Sequence, residues 1–178
     1  MSDLFENEHK DRGFDVESML VADLVNSFKR ALIFKQPEMQ EYGISIKNVD
    51  LTLKTLATTD AGASISLQIP ILGKVEFGSK LSEKSLQTTK LTLKPSGNVK
   101  MVREADLMDM DKTLAQSISS VIEGVKAAGN QGTFPLELDE ATFEFNFILS
   151  GDSNITMIIE SGFESELSNT LKINFQGN

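Results

Sequence analysis

Two amphipathic stripes lie 90 residues apart in this chain, and each is followed by alternating apolar segments with the same break in phase. Val21, Leu24, Val25, Phe28, Ala31 and Leu32 recur at three- and four-residue spacing, which predicts a helix over Val21–Lys35. Asp15 or Ser18 is placed to cap it, and Pro37 to limit its extension. Leu114, Ile118, Val121, Ile122 and Val125 repeat the stripe, with Asp111 or Thr113 as cap and Gly129 as stop. After the first stripe, Ile44 and Ile46 alternate with polar residues, Lys47-Asn48 shifts the phase, and Val49, Leu51 and Leu53 resume. After the second, Leu136 and Leu138 alternate, Asp139-Glu140 shifts the phase, and Ala141, Phe143, Phe145 and Phe147 resume. A strand's side chains have period two, so each slip calls for a bulge or bend if one face is to stay buried.

Turn residues Asp60-Ala61-Gly62 and Gly151-Asp152-Ser153-Asn154 come next. Second strands follow through Ile65, Leu67, Ile69 and Ile71, and through Ile155, Met157 and Ile159. Closing strands carry Leu91 and Leu93, then Leu171 and Ile173. The first copy holds an insertion, Lys74–Lys84, in which Val75 and Phe77 would prolong the hairpin. Pro70 places its strand at an edge or a strand end.

The expected fold is α+β, a tandem duplication of an α-β-β-β unit: two three-stranded antiparallel sheets, each with one helix, related by a pseudo-two-fold axis. The expected organisation is an arm over 1–18, a first unit over 19–95, a linker over 96–110 and a second unit over 111–178. A unit of that size buries only about 60% of its unfolded surface, so the two units are expected to pack on each other.

The charge splits along the same boundary. Residues 19–100 hold 7 acids and 11 bases, net +4, whereas residues 101–178 hold 13 acids and 4 bases, net −9. A chain of net charge −9 is unfavourable for generic nucleic-acid binding. With no cysteine, thiolate metal sites, disulfides and cysteine nucleophiles are excluded. The longest apolar runs are too short to span a bilayer, and the first residues lack the apolar core of a secretory signal, so a cytoplasmic location is expected.

Catalytic chemistry has little to work with. The only histidine, His9, sits in the charged arm, and no nucleophile elbow, phosphate loop or dinucleotide fingerprint is present. The acids Glu104, Asp106, Asp109 and Asp111 are the one candidate set for a hard cation, but acids just before a helix also serve its N-terminal dipole and cap. Glu137, Asp139, Glu140 and Glu144 are accounted for by strand alternation, and Phe143, Phe145 and Phe147, with Phe163 and Phe175 near them in sequence, by a core stripe. Lysines 47, 54, 74, 80, 84, 90, 94 and 100 read as a solvated face, with a partner surface as the sharper alternative. No enzyme, cofactor or resident metal is expected.

The segments LVNSFKRAL (Leu24–Leu32), ISIKNVDLTLKTLAT (Ile44–Thr58) and TTKLTLKP (Thr88–Pro95) resemble the trypsin-co-occurring domains of prokaryotes. Val49, Leu51, Leu53, Leu91, Leu93 and Pro95 stand where that family's pattern puts them. The resemblance implies a small bacterial module without catalytic residues, found beside trypsin-like proteases and in defence systems. The expectation is therefore a protein-binding or adaptor module, with a protease as one partner class. The alternatives are a subunit assembling through its oppositely charged halves as a homo-oligomer, or a carrier of a small apolar ligand along the phenylalanine face.

Overall fold

A computed structural model describes residues 18–59, 64–72, 86–97, 100–129, 134–152, 154–157 and 167–178. Residues 1–17 of the arm with His9, the turn at Asp60, the insertion with Val75 and Phe77, and Phe163 lie outside the described residues. Strand β1 (Ser18–Leu20) leads into helix α1 (Val21–Glu41), followed by β2 (Ile44–Thr59), β3 (Ile65–Leu72) and β4 (Leu86–Leu93). A 3-10 turn (Glu104–Asp106) precedes α2 (Asp109–Gly129), β5 (Glu140–Ser150), β6 (Ile155–Met157) and β7 (Asn169–Gly177).

Both stripes form helices. Leu24, Phe28 and Ala31 of α1 and Leu114, Ile118 and Ile122 of α2 are buried in one core cluster with side chains from both halves. Helix α1 runs past Lys35 and through Pro37 to Glu41, further than expected. Met39, buried in the added turn, gains enough packing to tolerate the one N–H that proline lacks. The stop is Gly43, which takes the left-handed backbone (φ +66) that favours glycine. Ser18, an expected cap, lies instead in β1, and Leu20 at the N-cap makes no side-chain capping bond.

The slip at Lys47-Asn48 is a β-bulge. In the pairing with β7, Ile46 faces Phe175 and Asn48 faces Asn174, so Lys47 is the extra residue. Ile44 is buried before it and Val49, Leu51 and Leu53 after it, which keeps one face inward. The second slip has a different structure. Strand β5 starts at Glu140, and Leu136 and Leu138 precede it. The Leu136 N–H donates to the Ala128 carbonyl at the end of α2, so this segment follows the helix end rather than the sheet.

The two expected three-stranded sheets are joined: among the described residues the strands make one seven-stranded sheet. Strand β7 lies between the halves, antiparallel to β2 (Ile44↔Gly177 to Thr52↔Thr170) and to β5 (Glu140↔Gln176 to Phe147↔Asn169). Strand β4 pairs along the other edge of β2, from Val49↔Leu93 to Leu56↔Leu86. Beyond the start of β7, its place beside β2 is taken by β3, paired over Leu56↔Gln68 to Thr59↔Ile65. Pro70 has no N–H to offer a ladder, and the pairing with β2 stops at Gln68. Past the proline, β3 pairs in parallel with β5 through Ile71↔Leu149 and Leu72↔Ser150. The circuit β2–β7–β5–β3 therefore closes into a small barrel. Strands β1 and β6 add three residues each, on β3 and β5.

Beyond the first residues of β7, before β3 has arrived, this edge of the β2 backbone would lack a partner. Asn169, 1% exposed, fills that place. Its Oδ1 accepts from the Lys54 N–H at 2.9 Å, and its Nδ2 donates to the carbonyls of Phe147 (3.4 Å) and Leu167 (3.3 Å). Substituting Asn169→Leu keeps the volume and strands buried backbone groups on two strands at once. Each costs about 1–3 kcal/mol, so urea unfolding should show a loss of about 2–4 kcal/mol; a change below about 0.5 kcal/mol would remove Asn169 from this role.

Candidate functional site

The acids singled out by the sequence do not converge. Asp106 pairs with Arg103 at 3.1 Å, Glu104 shares its exposed 3-10 turn, and Asp109 opens α2 at the surface. Asp111 is fully buried and serves another purpose. Its Oδ2 accepts from Arg30 Nε at 2.7 Å and its Oδ1 from Arg30 Nη2 at 3.2 Å, a two-pronged contact between α2 and α1. It also accepts the Met108 N–H at 3.0 Å, capping α2 by reaching back from its first turn. Arg30 Nη2 further donates to Ser27 Oγ at 3.0 Å. Burial alone would raise the Asp111 carboxyl; the hydrogen bonds from Arg30, Met108 and Ser27 outweigh it and hold it below the usual carboxylate range. Among the described residues no group of three or more histidines or carboxylates gathers as a metal site.

Phe145 and Phe147 are buried, with ring centroids 5.4 Å apart, and Phe143 packs partly buried at the same spacing from Phe145. The stripe is core. Glu144 and Glu140 lie on strand β5, Glu140 paired with Lys47 at 2.8 Å. The outer face of the sheet is polar, with Asp50, Lys172 and Glu144 in one cross-strand row and Asn48, Asn174 and Thr142 in the next. Hydrogen bonds run along it from Thr92 to Asp50, Asn174 to Asp50 and Thr142 to Asn174.

A cleft of about 630 Å³ lies where both helices end. Tyr42 and Gly43 supply one side, Val125, Ala127 and Lys126 of α2 another, and Leu136, Glu137 and Leu138 a third. The far end is closed by Gly177, whose N–H donates to the Asp139 carbonyl at 2.9 Å, and by Asn178, which donates to the Gly43 carbonyl at 2.9 Å. Both halves of the chain therefore build it. Lys126 organises the wall: it pairs with Glu123 (2.9 Å) and Glu38 (3.2 Å) and stands 5.0 Å over the Tyr42 ring. Hydrogen bonds to the two carboxylates raise the Lys126 ammonium above its ordinary value. Leu136, 53% exposed, presents apolar surface in the cleft, and Phe134, two residues before it, is 80% exposed. Sequence patterning did not find this site. Tyr42 is the only tyrosine, yet its meeting with Lys126 depends on how β7 joins the halves.

The fold is thus an α+β barrel-like sheet with two helices and a cleft at the junction of its halves. Residues 19–95, from β1 through β4 to Pro95, match the family model of trypsin-co-occurring domain 2, which supports that family for this part of the chain. The aliphatic residues of the resemblance are direct neighbours, Val49 facing Leu93 and Leu51 facing Leu91. No curated protein and no solved structure matches the chain. Among the described residues no helix is long and apolar enough to cross a membrane.

Two substitutions test this geometry. Arg30→Met leaves the Asp111 carboxylate buried and unpaired, and should cost about 3 kcal/mol near neutral pH. Because the pair depresses the folded-state pKa of Asp111, its stabilisation is present above the ordinary carboxylate pKa of about 3.9 and is lost as pH falls below it. The gap between wild type and variant in denaturant titrations should narrow in that window; a gap independent of pH contradicts the assignment. At Gly177 a Cβ would stand 1.8 Å from the Leu138 carbonyl oxygen, so Gly177→Ala must push the Leu136–Leu138 segment away, at a cost of about 1–3 kcal/mol. Gly124→Ala, with nothing within 4 Å in a helix interior, should instead stabilise by about 0.5–1 kcal/mol.

Proposed function

We propose that this chain is a non-catalytic protein-binding module whose contact site is the cleft at the ends of α1 and α2. The observation that carries the reading is the exposed apolar surface of Leu136 in a cleft with walls of Val125, Ala127 and Leu138. Glu137 lines it and makes no ion pair among the described residues, whereas Lys126 in the wall is already held by Glu123 and Glu38. The chemistry suits an extended partner segment with an aliphatic anchor flanked by arginine or lysine. The trypsin-co-occurring match over residues 19–95 makes a trypsin-like protease, or a protein of the same defence system, the first partner class to test. Catalysis is not part of this reading, since His9 is the only histidine and the acids of 104–111 do not converge.

The second half is proposed to be a diverged copy of the first. Support comes from the shared order of one helix and three strands, and from β2 and β5 each carrying their next two strands on opposite edges. Superposing α1–β4 on α2–β7 tests this: β2 should overlay β5 and β4 should overlay β7.

Tyr42 lines the cleft and is the only tyrosine in a chain without tryptophan, so its emission reports occupancy. Titration with a leucine-anchored peptide flanked by arginines should change that emission, and a glutamate-flanked counterpart should not. Leu136→Asp, at an exposed position, should keep the fold and weaken the arginine-flanked peptide by about tenfold or more. Unchanged emission with both peptides, or full binding by the variant, would refute the cleft as a contact site.

A further inference from the structure

We infer that the outer edge of β4 is a strand-addition site for an extended segment of a partner protein in which apolar and acidic residues alternate. Of the strands that end the sheet among the described residues, β1 and β6 have three residues each, whereas β4 has eight. Short edges protect themselves against pairing, but an eight-residue edge offers a full ladder. Its inner edge is taken by β2 along its whole length, and among the described residues no strand pairs with its outer edge. In an antiparallel pair every second residue points both its N–H and C=O away from its partner, so half of β4 presents free backbone groups outward.

The side chains specify what would fit. Thr88, Lys90 and Thr92 project on the polar face of the sheet, while Thr89, Leu91 and Leu93 project on the helix side, where both leucines are only partly buried against the core. An added antiparallel strand places its own side chains directly opposite these, on the same two faces. Apolar residues opposite Leu91 and Leu93 would complete their burial, and an acid would face Lys90. The charge along this segment has one sign. From Leu86 to Val102 the sequence holds Lys90, Lys94 and Lys100 and no acid, and none of the three makes an ion pair among the described residues. On the adjoining strand Lys54 is hydrogen-bonded to Thr88 at 3.2 Å, and the acid there, Asp50, is engaged by Thr92 and Asn174. A positive edge disfavours pairing with the same edge of a second copy and favours an acidic strand. No residue of β4 lines the cleft, so this surface stands independently of the proposed function.

The test uses the full chain, with three short capped peptides followed by amide chemical shifts. One alternates valine with glutamate, one alternates valine with lysine, and the third is the glutamate peptide N-methylated at every second residue, which removes the donors of one strand edge. The glutamate peptide should bind, with its largest shifts on β4 amides, and the other two should bind at least about tenfold more weakly. Lys90→Glu, at an exposed position, should weaken the glutamate peptide by a similar factor and gain affinity for the lysine peptide. Equal binding of the N-methylated peptide, shifts that map away from β4, or no binding of the glutamate peptide would each overturn the inference. So would light scattering that shows self-association abolished by Lys90→Glu, since the occupant would then be a second copy of the chain.

Discussion

Strand β7 sits between β2 and β5, and the rest of the molecule is arranged around that position. A strand with two neighbours satisfies its backbone only if both stay in place. The last strand of the sequence therefore binds the first half to the second along eight paired positions on each side. The core follows, because Val49, Leu51, Phe145, Leu171 and Ile173 then share one face beneath α1 and α2. Asn169, at the start of β7, carries the ladder across the stretch of β2 that β3 has not yet reached. The cleft follows as well, since Gly177 and Asn178 bring the end of β7 against Gly43 and the Leu136–Leu138 segment.

The opposite charges of the two halves acquire a physical meaning in this arrangement. Arg30 with Asp111 and Lys47 with Glu140 are contacts of a first-half cation with a second-half acid. The first is buried on the acid's side, and breaking it leaves a charge away from water; the second is exposed on both sides and contributes little. What the ion pairs among the described residues leave over is uneven: Lys90 and Lys94 remain on and just after β4, and Glu137 at the cleft.

Much of the local structure was legible in the sequence. The 3.6-residue stripes marked both helices, and the Lys47 slip marked a bulge, because burial on one face imposes a period that a reader can count. The same rule failed at Asp139-Glu140, where Leu136 and Leu138 alternate without belonging to a strand. Pro37 misled in the other direction, since packing of Met39 outweighed its local cost. The joining of halves was not legible at all. Alternation shows that Leu171, Ile173 and Phe175 face a core, but it carries no information on which strands flank them. The acids of 104–111 were found and assigned too loosely: only the tertiary fold brings Arg30 to Asp111, 81 residues away.

The central claim is that the two halves are one cooperative body joined through β7. Native-state hydrogen exchange across a denaturant series measures this directly. The account predicts that amides of β2, β5 and β7 converge on a single opening free energy equal to that of global unfolding. Amides of β5 and β7 that exchange through a lower-energy opening, while β2 and β4 stay protected, would contradict it.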